Sequence, residues 1–232
     1  DLAEAANGQT DQARRHYRDA ARYAGFDGAQ LLRLAERLEA LGDAAEARRT
    51  LIKALGSGAA VDAREALVRV EIRARDFTAA ARRLEELRGD EVGDTRADLL
   101  AGELELARGD AAAATAAYQR AQQRLPSTEG VIGLADALIA AHELARAGET
   151  LEAWLAEHPD DLAARETLAQ VYLKANRLER ARPLFEALLT EAPDDPVVLT
   201  SLARLYQLGG DPRARALAER AVELAPDSAL AL

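Results

Sequence analysis

The 232-residue chain contains no cysteine, which excludes disulfides, thiolate chemistry and every zinc site built on sulfur. It also lacks methionine, has a single tryptophan, and is only 4% aromatic. Lysine is almost missing: Lys53 and Lys174 stand alone among 30 basic residues, a bias that fits GC-rich bacterial coding. No run approaches the roughly 18 apolar residues that cross a bilayer. Asp1-Leu2-Ala3-Glu4 has neither the basic nor the apolar region of a signal peptide. Direct membrane insertion by this segment is therefore not expected. Concentrated positive charge is lacking too, since the formal net charge is -10 and the pI about 5.0. That balance argues against nucleic acid, whose phosphates demand a basic face.

Groupings that carry chemistry are equally sparse. His16, His142 and His158 lie much farther apart in sequence than the spacing of a helical metal site. Ser57, Ser127, Ser201 and Ser228 sit in turns or first helices, and none is framed as a Gly-x-Ser-x-Gly elbow. No glycine-rich phosphate loop is present. Acidic pairs such as Glu85-Glu86 and Asp194-Asp195 read as solvated helix faces or caps. No enzyme activity, cofactor or metal is expected.

What the chain does have is a phrase that recurs every 33 or 34 residues. Gly or a polar substitute is followed five residues later by Ala, nine by a large apolar residue and twelve by Ala or Leu. Gly42-Ala47-Leu51-Ala54, Gly109-Ala114-Tyr118-Ala121 and Asn176-Ala181-Phe185-Leu188 are three copies. A period of that length, read at helical spacing, marks a solenoid of helix-turn-helix units. The composition, 49% hydrophobic and 30% charged and dominated by Ala, Leu, Arg and Glu, favours helix almost everywhere. The expected fold class is all-α.

With the Gly-like turn numbered 15, small or apolar residues fall at repeat positions 7, 8, 11, 20, 24 and 27, and a helix-ending Pro falls near 32. The repeats run 28–60, 61–94, 95–127, 128–161, 162–195 and 196–228, after a partial repeat at 1–27 and before the start of another at 229–232. The fifth is the cleanest, with Leu168, Ala169, Tyr172, Asn176, Ala181, Phe185, Leu188 and Pro193. The second, with Leu67, Val68, Phe77, Ala80, Leu84 and Leu87, is the most degenerate and has no terminal Pro. The sixth has one residue fewer between Tyr206 and Ala214. Close helix crossing at positions 8 and 20 admits only small side chains, as at Ala169 and Ala181. Pro212 is expected at the first position of its helix after an Asp211 cap, and Pro183 where the N–H still lacks an intrahelical partner. The connection Arg88-Gly89-Asp90-Glu91-Val92-Gly93-Asp94 is the most turn-like and the expected hinge, with Gly56-Ser57-Gly58 second.

These residues resemble the tetratricopeptide repeat over almost the whole chain. The resemblance implies a single array, a right-handed superhelical solenoid of helix-turn-helix hairpins, that docks a protein or peptide in a concave groove. The first helices of such arrays line the groove through positions 2, 5, 6, 9, 12 and 13. That register selects Arg33, Glu36, Arg69, Arg73, Arg96, Glu103, Asp136, Glu166, Gln170, Lys174, Arg204 and Gln207. The basic trio Arg69, Arg73 and Arg96 beside acidic Glu103, Asp136 and Glu166 is the expected partner surface, and Arg48 and Arg82 are expected on the opposite face. The Lys/Asn constellation of chaperone-type repeats is not matched, since the only asparagines are Asn7 and Asn176.

The last third is more particular. Trp154-Leu155-Ala156-Glu157-His158-Pro159-Asp160-Asp161, Ala192-Pro193-Asp194-Asp195-Pro196 and Gly210-Asp211-Pro212-Arg213-Ala214 follow in order. They resemble the C-terminal repeats of tetratricopeptide lipoproteins of bacterial exosortase/PEP-CTERM and exopolysaccharide systems, over Leu151 to Leu232. That resemblance implies a noncatalytic scaffold in a Gram-negative envelope assembly, periplasmic or outer-membrane-associated. A cytoplasmic adaptor or regulatory module of a larger protein is the alternative. The absence of an initiator Met and the ends falling inside repeats lead to the expectation of a piece of a longer protein. Leu2 at one end and Leu224, Leu230 and Leu232 at the other would then favour end-to-end self-association.

Overall fold

The computed structural model describes residues 2–225 apart from 23, 24, 26, 58 and 90, with 2–9 described for the backbone alone. Among the described residues there are 13 α-helices and no strand. They are α1 (Leu2–Arg22), α2 (Gly28–Ala40), α3 (Ala44–Ala54), α4 (Ala60–Arg73), α5 (Phe77–Leu87), α6 (Glu91–Arg108) and α7 (Ala111–Arg124). There follow α8 (Thr128–Ala140), α9 (Leu144–Glu157), α10 (Leu162–Lys174), α11 (Leu178–Glu191), α12 (Pro196–Leu208) and α13 (Ala214–Leu224). The chain divides into two compact units, Asp1–Leu125 and Pro126–Leu232. The first holds α1 and three hairpins, the second holds three more. In each unit neighbouring helices of a hairpin pack together, and the second helix of one hairpin packs on the first helix of the next.

Every hairpin turns on one device. Gly42, Arg75, Gly109, His142, Asn176 and Gly210 all have positive φ, between 55° and 85°. In each case the next residue's N–H returns to the carbonyl five residues back, from Asp43 to Leu38, Asp76 to Glu71, Asp110 to Glu105, Glu143 to Leu138, Arg177 to Tyr172 and Asp211 to Tyr206, at 2.8–2.9 Å. The left-handed residue's own N–H bonds three residues back, as Gly42 does to Glu39 at 2.8 Å. This double bond satisfies carbonyls that a helix end leaves orphaned and reverses the chain within three residues. Glycine suits the position because it has no Cβ to clash. Arg75 and His142 adopt it without that freedom.

The helix crossings are as tight as the repeat pattern requires. Ala35, Val68, Ala135 and Ala169 on first helices and Ala47, Ala80, Ala114, Ala147 and Ala181 on second helices are buried to 2% exposure or less. Gly102 takes the equivalent place in the third hairpin, where an added Cβ would lie 2.4 Å from the Tyr118 ring. Tyr118 stands where four of the other second helices carry Leu51, Leu84, Leu151 or Phe185, so the missing side chain and the oversized ring complement each other.

Three expectations need correction. The segment Glu91–Asp94 is not a linker: α6 begins at Glu91, and its acidic first turn, with Glu91 and Asp94, suits the positive end of the helix dipole. Pro212 precedes its helix instead of opening it. Ala214 N–H bonds Asp211 O at 3.2 Å, a tight turn that delays the regular start of α13 to Ala214. Pro183 is the sixth residue of α11, beyond the orphaned first turn, so the Glu179 carbonyl loses its usual donor inside the helix. Gly58, Asp90, Pro226, Leu230, Leu232 and the 229–232 start of another repeat lie outside the described residues, as does the Leu2 side chain. Leu224, at the same end, is 44% exposed.

Candidate protein-docking face

The residues selected by the groove register fall on the first helices: Arg33 and Glu36 on α2, Arg69 and Arg73 on α4, and Arg96 and Glu103 on α6 in the first unit. Asp136 on α8, Glu166, Gln170 and Lys174 on α10, and Arg204 and Gln207 on α12 belong to the second. Apart from Arg33 and Glu36, which form no ion pair among the described residues, the two units treat these side chains differently.

In the first unit the basic trio is already neutralised. Arg69 Nε donates to both Glu103 oxygens at 3.1 and 3.3 Å. Arg73 Nε donates to Glu39 Oε1 at 2.7 Å, and Arg96 Nη1 lies 2.5 Å from Glu65 Oε1 and 3.6 Å from Asp62 Oδ1. Each pair links one first helix to the next. Glu39, Glu65 and Asp62 occupy positions 12, 5 and 2, which the register marks, and the 34-residue offset from Glu39 to Arg73 and from Arg69 to Glu103 is the signal that exposes the ladder. Arg33 and Glu36 are exposed.

Two buried carboxylates of this unit were missed by sequence reasoning. Glu71, 1% exposed, accepts from Arg83 Nε at 2.9 Å and from Arg48 Nη2 at 3.3 Å. Arg48 is therefore tied to the core and is no neutral outer-face position. Glu71 occupies the place held in other hairpins by Leu38, Leu138, Tyr172 and Tyr206. Asp98, fully buried, accepts from Arg88 Nη2 at 3.2 Å and from Arg120 at 3.3 Å. Its burden of guanidinium groups, with Arg124 Nε at 3.5 Å, compensates for taking a carboxylate out of water.

In the second unit, among the described residues, Asp136, Glu166, Lys174 and Arg204 form no ion pair. Asp136 keeps an exposed edge, yet the protein around it displaces enough water to raise its pKa, against the pull of Lys174. Burial also raises that of Glu166, helped by the charge of Asp195. Both shifts mark carboxylates short of positive charge. Gln170 Nε2 donates to Ser201 Oγ at 2.7 Å, joining α10 to α12. On the other side of these hairpins, Tyr172 hydroxyl donates to Glu152, and Tyr206 hydroxyl donates to Glu186 at 2.6 Å. Burial and the acceptor carboxylate push each phenol up to about 12.

The histidines stay apart, and no cluster able to hold a metal occurs among the described residues. His142 supplies a left-handed turn. His158 stacks on Trp154 with centroids 3.8 Å apart, while Trp154 Nε1 and Thr128 Oγ1 both donate to Asp161, which caps α10. No described helix is long and apolar enough to cross a membrane.

The positive-φ residue repeated at 33- or 34-residue intervals, with small residues at each crossing, is matched by sequence: tetratricopeptide-repeat family models fit residues 65–128 and 138–205. The chain carries tetratricopeptide repeats. Among solved structures, the Cut9 and Hcn1 hetero-tetramer of the APC/C superposes with a TM-score of 0.63 at 14% identity, over 96% of this chain and 45% of that one. A thermophilic tetratricopeptide protein of Thermus thermophilus gives 0.59 at 21% identity, over 78% and 99%. A tetratricopeptide repeat protein from Parabacteroides merdae gives 0.58 at 16% identity, over 85% and 78%. At such identities the likeness establishes the helical-repeat fold. No curated protein matches by sequence. Tetratricopeptide proteins are generally noncatalytic scaffolds that bind protein or peptide partners, and this architecture fits that role.

Proposed function

We propose that this chain is a noncatalytic docking scaffold in a Gram-negative envelope assembly for exopolysaccharide export or surface-protein sorting, and that it holds a protein or peptide partner on the first-helix face of its second unit. The observation that carries the docking face is the contrast in charge pairing. Arg69, Arg73 and Arg96 are occupied by neighbouring acids, whereas Asp136, Glu166, Lys174 and Arg204 form no ion pair among the described residues. Charged groups held in this way steer and orient a partner more than they hold the fold. The envelope setting is supported by the resemblance of Trp154–Asp161, Ala192–Pro196 and Gly210–Ala214 to exosortase-associated lipoproteins.

The test expresses the full reading frame in its native host. The protein is expected in the membrane fraction, with a polypeptide partner crosslinked to it. Asp136→Lys with Glu166→Lys should cut recovery of that partner about tenfold, equivalent to roughly 1.4 kcal/mol, while Arg82→Glu on an exposed second-helix position leaves it intact. Higher salt should weaken the same binding. A cytosolic distribution overturns the envelope setting. Equal loss in both variants, or substrate turnover indifferent to them, overturns the docking face.

A further inference from the structure

In four hairpins the first helix starts 14 residues before its left-handed turn, at Gly28, Thr128, Leu162 and Pro196. By that rule α6 should start at Thr95, and it starts at Glu91, one helical turn early. The extra turn has no counterpart in the other hairpins and does not bury its apolar residue: Val92 is 52% exposed. It faces the first turn of α4, where Val61 is 46% exposed, across a cleft of about 470 Å³ whose wall also includes Leu87 at the end of α5. Gly93, on the same turn, adds to the wall without a side chain to fill the space. The volume suits a side chain with adjoining backbone, within the usual range of ligand clefts.

Among the described residues, every charged side chain on the cleft wall but one has an ion-pair partner. Arg96 is held by Glu65 and Asp62, Arg88 by Asp98, and Glu86 lies 3.7 Å from Arg83. Arg64, half-buried on the cleft wall, forms no ion pair among the described residues. A guanidinium with no hydrogen bond among the described residues, beside two exposed valines, is complementary to an aliphatic group next to a carboxylate.

We propose that the cleft between the first turns of α4 and α6 is a second docking site, which takes from a partner polypeptide a segment with an aliphatic residue followed by an acidic one. The site lies wholly in the first unit and does not depend on the docking face assigned to the second. Three capped peptides test it by methyl and amide NMR on the full chain: acetyl-Ala-Leu-Glu-Ala-amide, the same with Gln for Glu, and the same with Ala for Leu. The Leu-Glu peptide should shift Val61 and Val92 methyls and the Gly93 amide at concentrations around 1 mM, and each altered peptide should bind about tenfold more weakly. Arg64→Gln should abolish the preference for Glu over Gln while leaving the spectrum of the second unit unchanged. Absence of shifts at these residues, equal binding of the three peptides, or a preference that survives Arg64→Gln would each overturn the assignment.

Discussion

The two units stack similar hairpins with different chemistry at the joints. In the first, all three second helices are capped by aspartate: Asp43, Asp76 and Asp110 accept from Glu46, Ala79 and Ala113 N–H at 3.4, 3.1 and 2.9 Å. In the second, Glu143, Arg177 and Arg213 stand at those ends and make no such bond, while the first helices are capped by Ser127, Asp161 and Asp195. The joint between hairpins follows the same division. A buried Glu71 gripped by Arg48 and Arg83 does in the first unit what a tyrosine hydroxyl on Glu152 or Glu186 does in the second. The repeat frame thus fixes backbone and crossing distance and leaves the polar chemistry of each joint free to vary.

Removing one partner of the buried pair should have the largest effect. Arg83→Met leaves Glu71 only the longer contact with Arg48, at 3.3 Å, and should cost about 3 kcal/mol in denaturant melts. The double variant Glu71→Leu with Arg83→Met supplies the leucine that the first and fourth hairpins carry there, as Leu38 and Leu138, and should recover most of that loss. If the single variant melts like the parent, the buried pair contributes nothing to the first unit.

Next comes the crossing in the third hairpin. Gly102→Ala forces a methyl against the Tyr118 ring and should destabilise by roughly 1–3 kcal/mol. Adding Tyr118→Leu, which recreates the Ala35 and Leu51 pairing of the first hairpin, should rescue it. Failure of the rescue would mean that Gly102 serves something other than the ring.

The second unit should show its own weakness in alkali. The folded-state pKa values of Tyr172 and Tyr206 are raised from 10.0 to about 12. The stability these groups add is therefore present in full below pH 10 and lost as pH rises through 12. Ultraviolet titration should find Tyr172 and Tyr206 ionising late, with hydrogen exchange in α9 to α13 accelerating over the same window. Tyr206→Phe, which removes a hydroxyl from Glu186, should cost about 1.5 kcal/mol at neutral pH. Ionisation of every tyrosine near pH 10 would break the contrast between the units.

The smallest effect exchanges the caps. Asp76→Ala should lose about 1 kcal/mol and Arg177→Asp should gain a similar amount, because each alters one bond to an orphaned helix N–H. If Arg177→Asp changes nothing, the second unit's uncapped helices are satisfied by water.

Much of this was legible in the residues. The turns at Gly42, Gly109 and Asn176 and the alanine crossings follow from spacing, because backbone geometry permits few residue types there. Arg75 and His142 were not recognised as turn residues, since a side chain name does not reveal a positive φ that neighbouring hydrogen bonds impose. Glu71 and Asp98 were illegible for a related reason: an acidic residue in a helical pattern reads as surface until its arginines are placed in space. The groove register located Arg69, Arg73 and Arg96 on first helices, but pairing across 31 to 34 residues depends on side-chain conformation, so the ladder was not visible in the sequence. The early start of α6 was hidden by Gly89 and Gly93, whose turn-like composition outweighed the acidic first turn.

Trp154 is the only tryptophan, and it sits where the end of α9 meets the start of α10, stacked on His158 and bonded to Asp161. The protein therefore carries a built-in optical reporter whose emission answers to one seam, whereas far-ultraviolet ellipticity sums over every helix. A repeat array couples only neighbouring units, so the two signals need not melt together. A gap between their midpoints would measure, without any label, how far the seam beside Trp154 opens ahead of the rest of the stack.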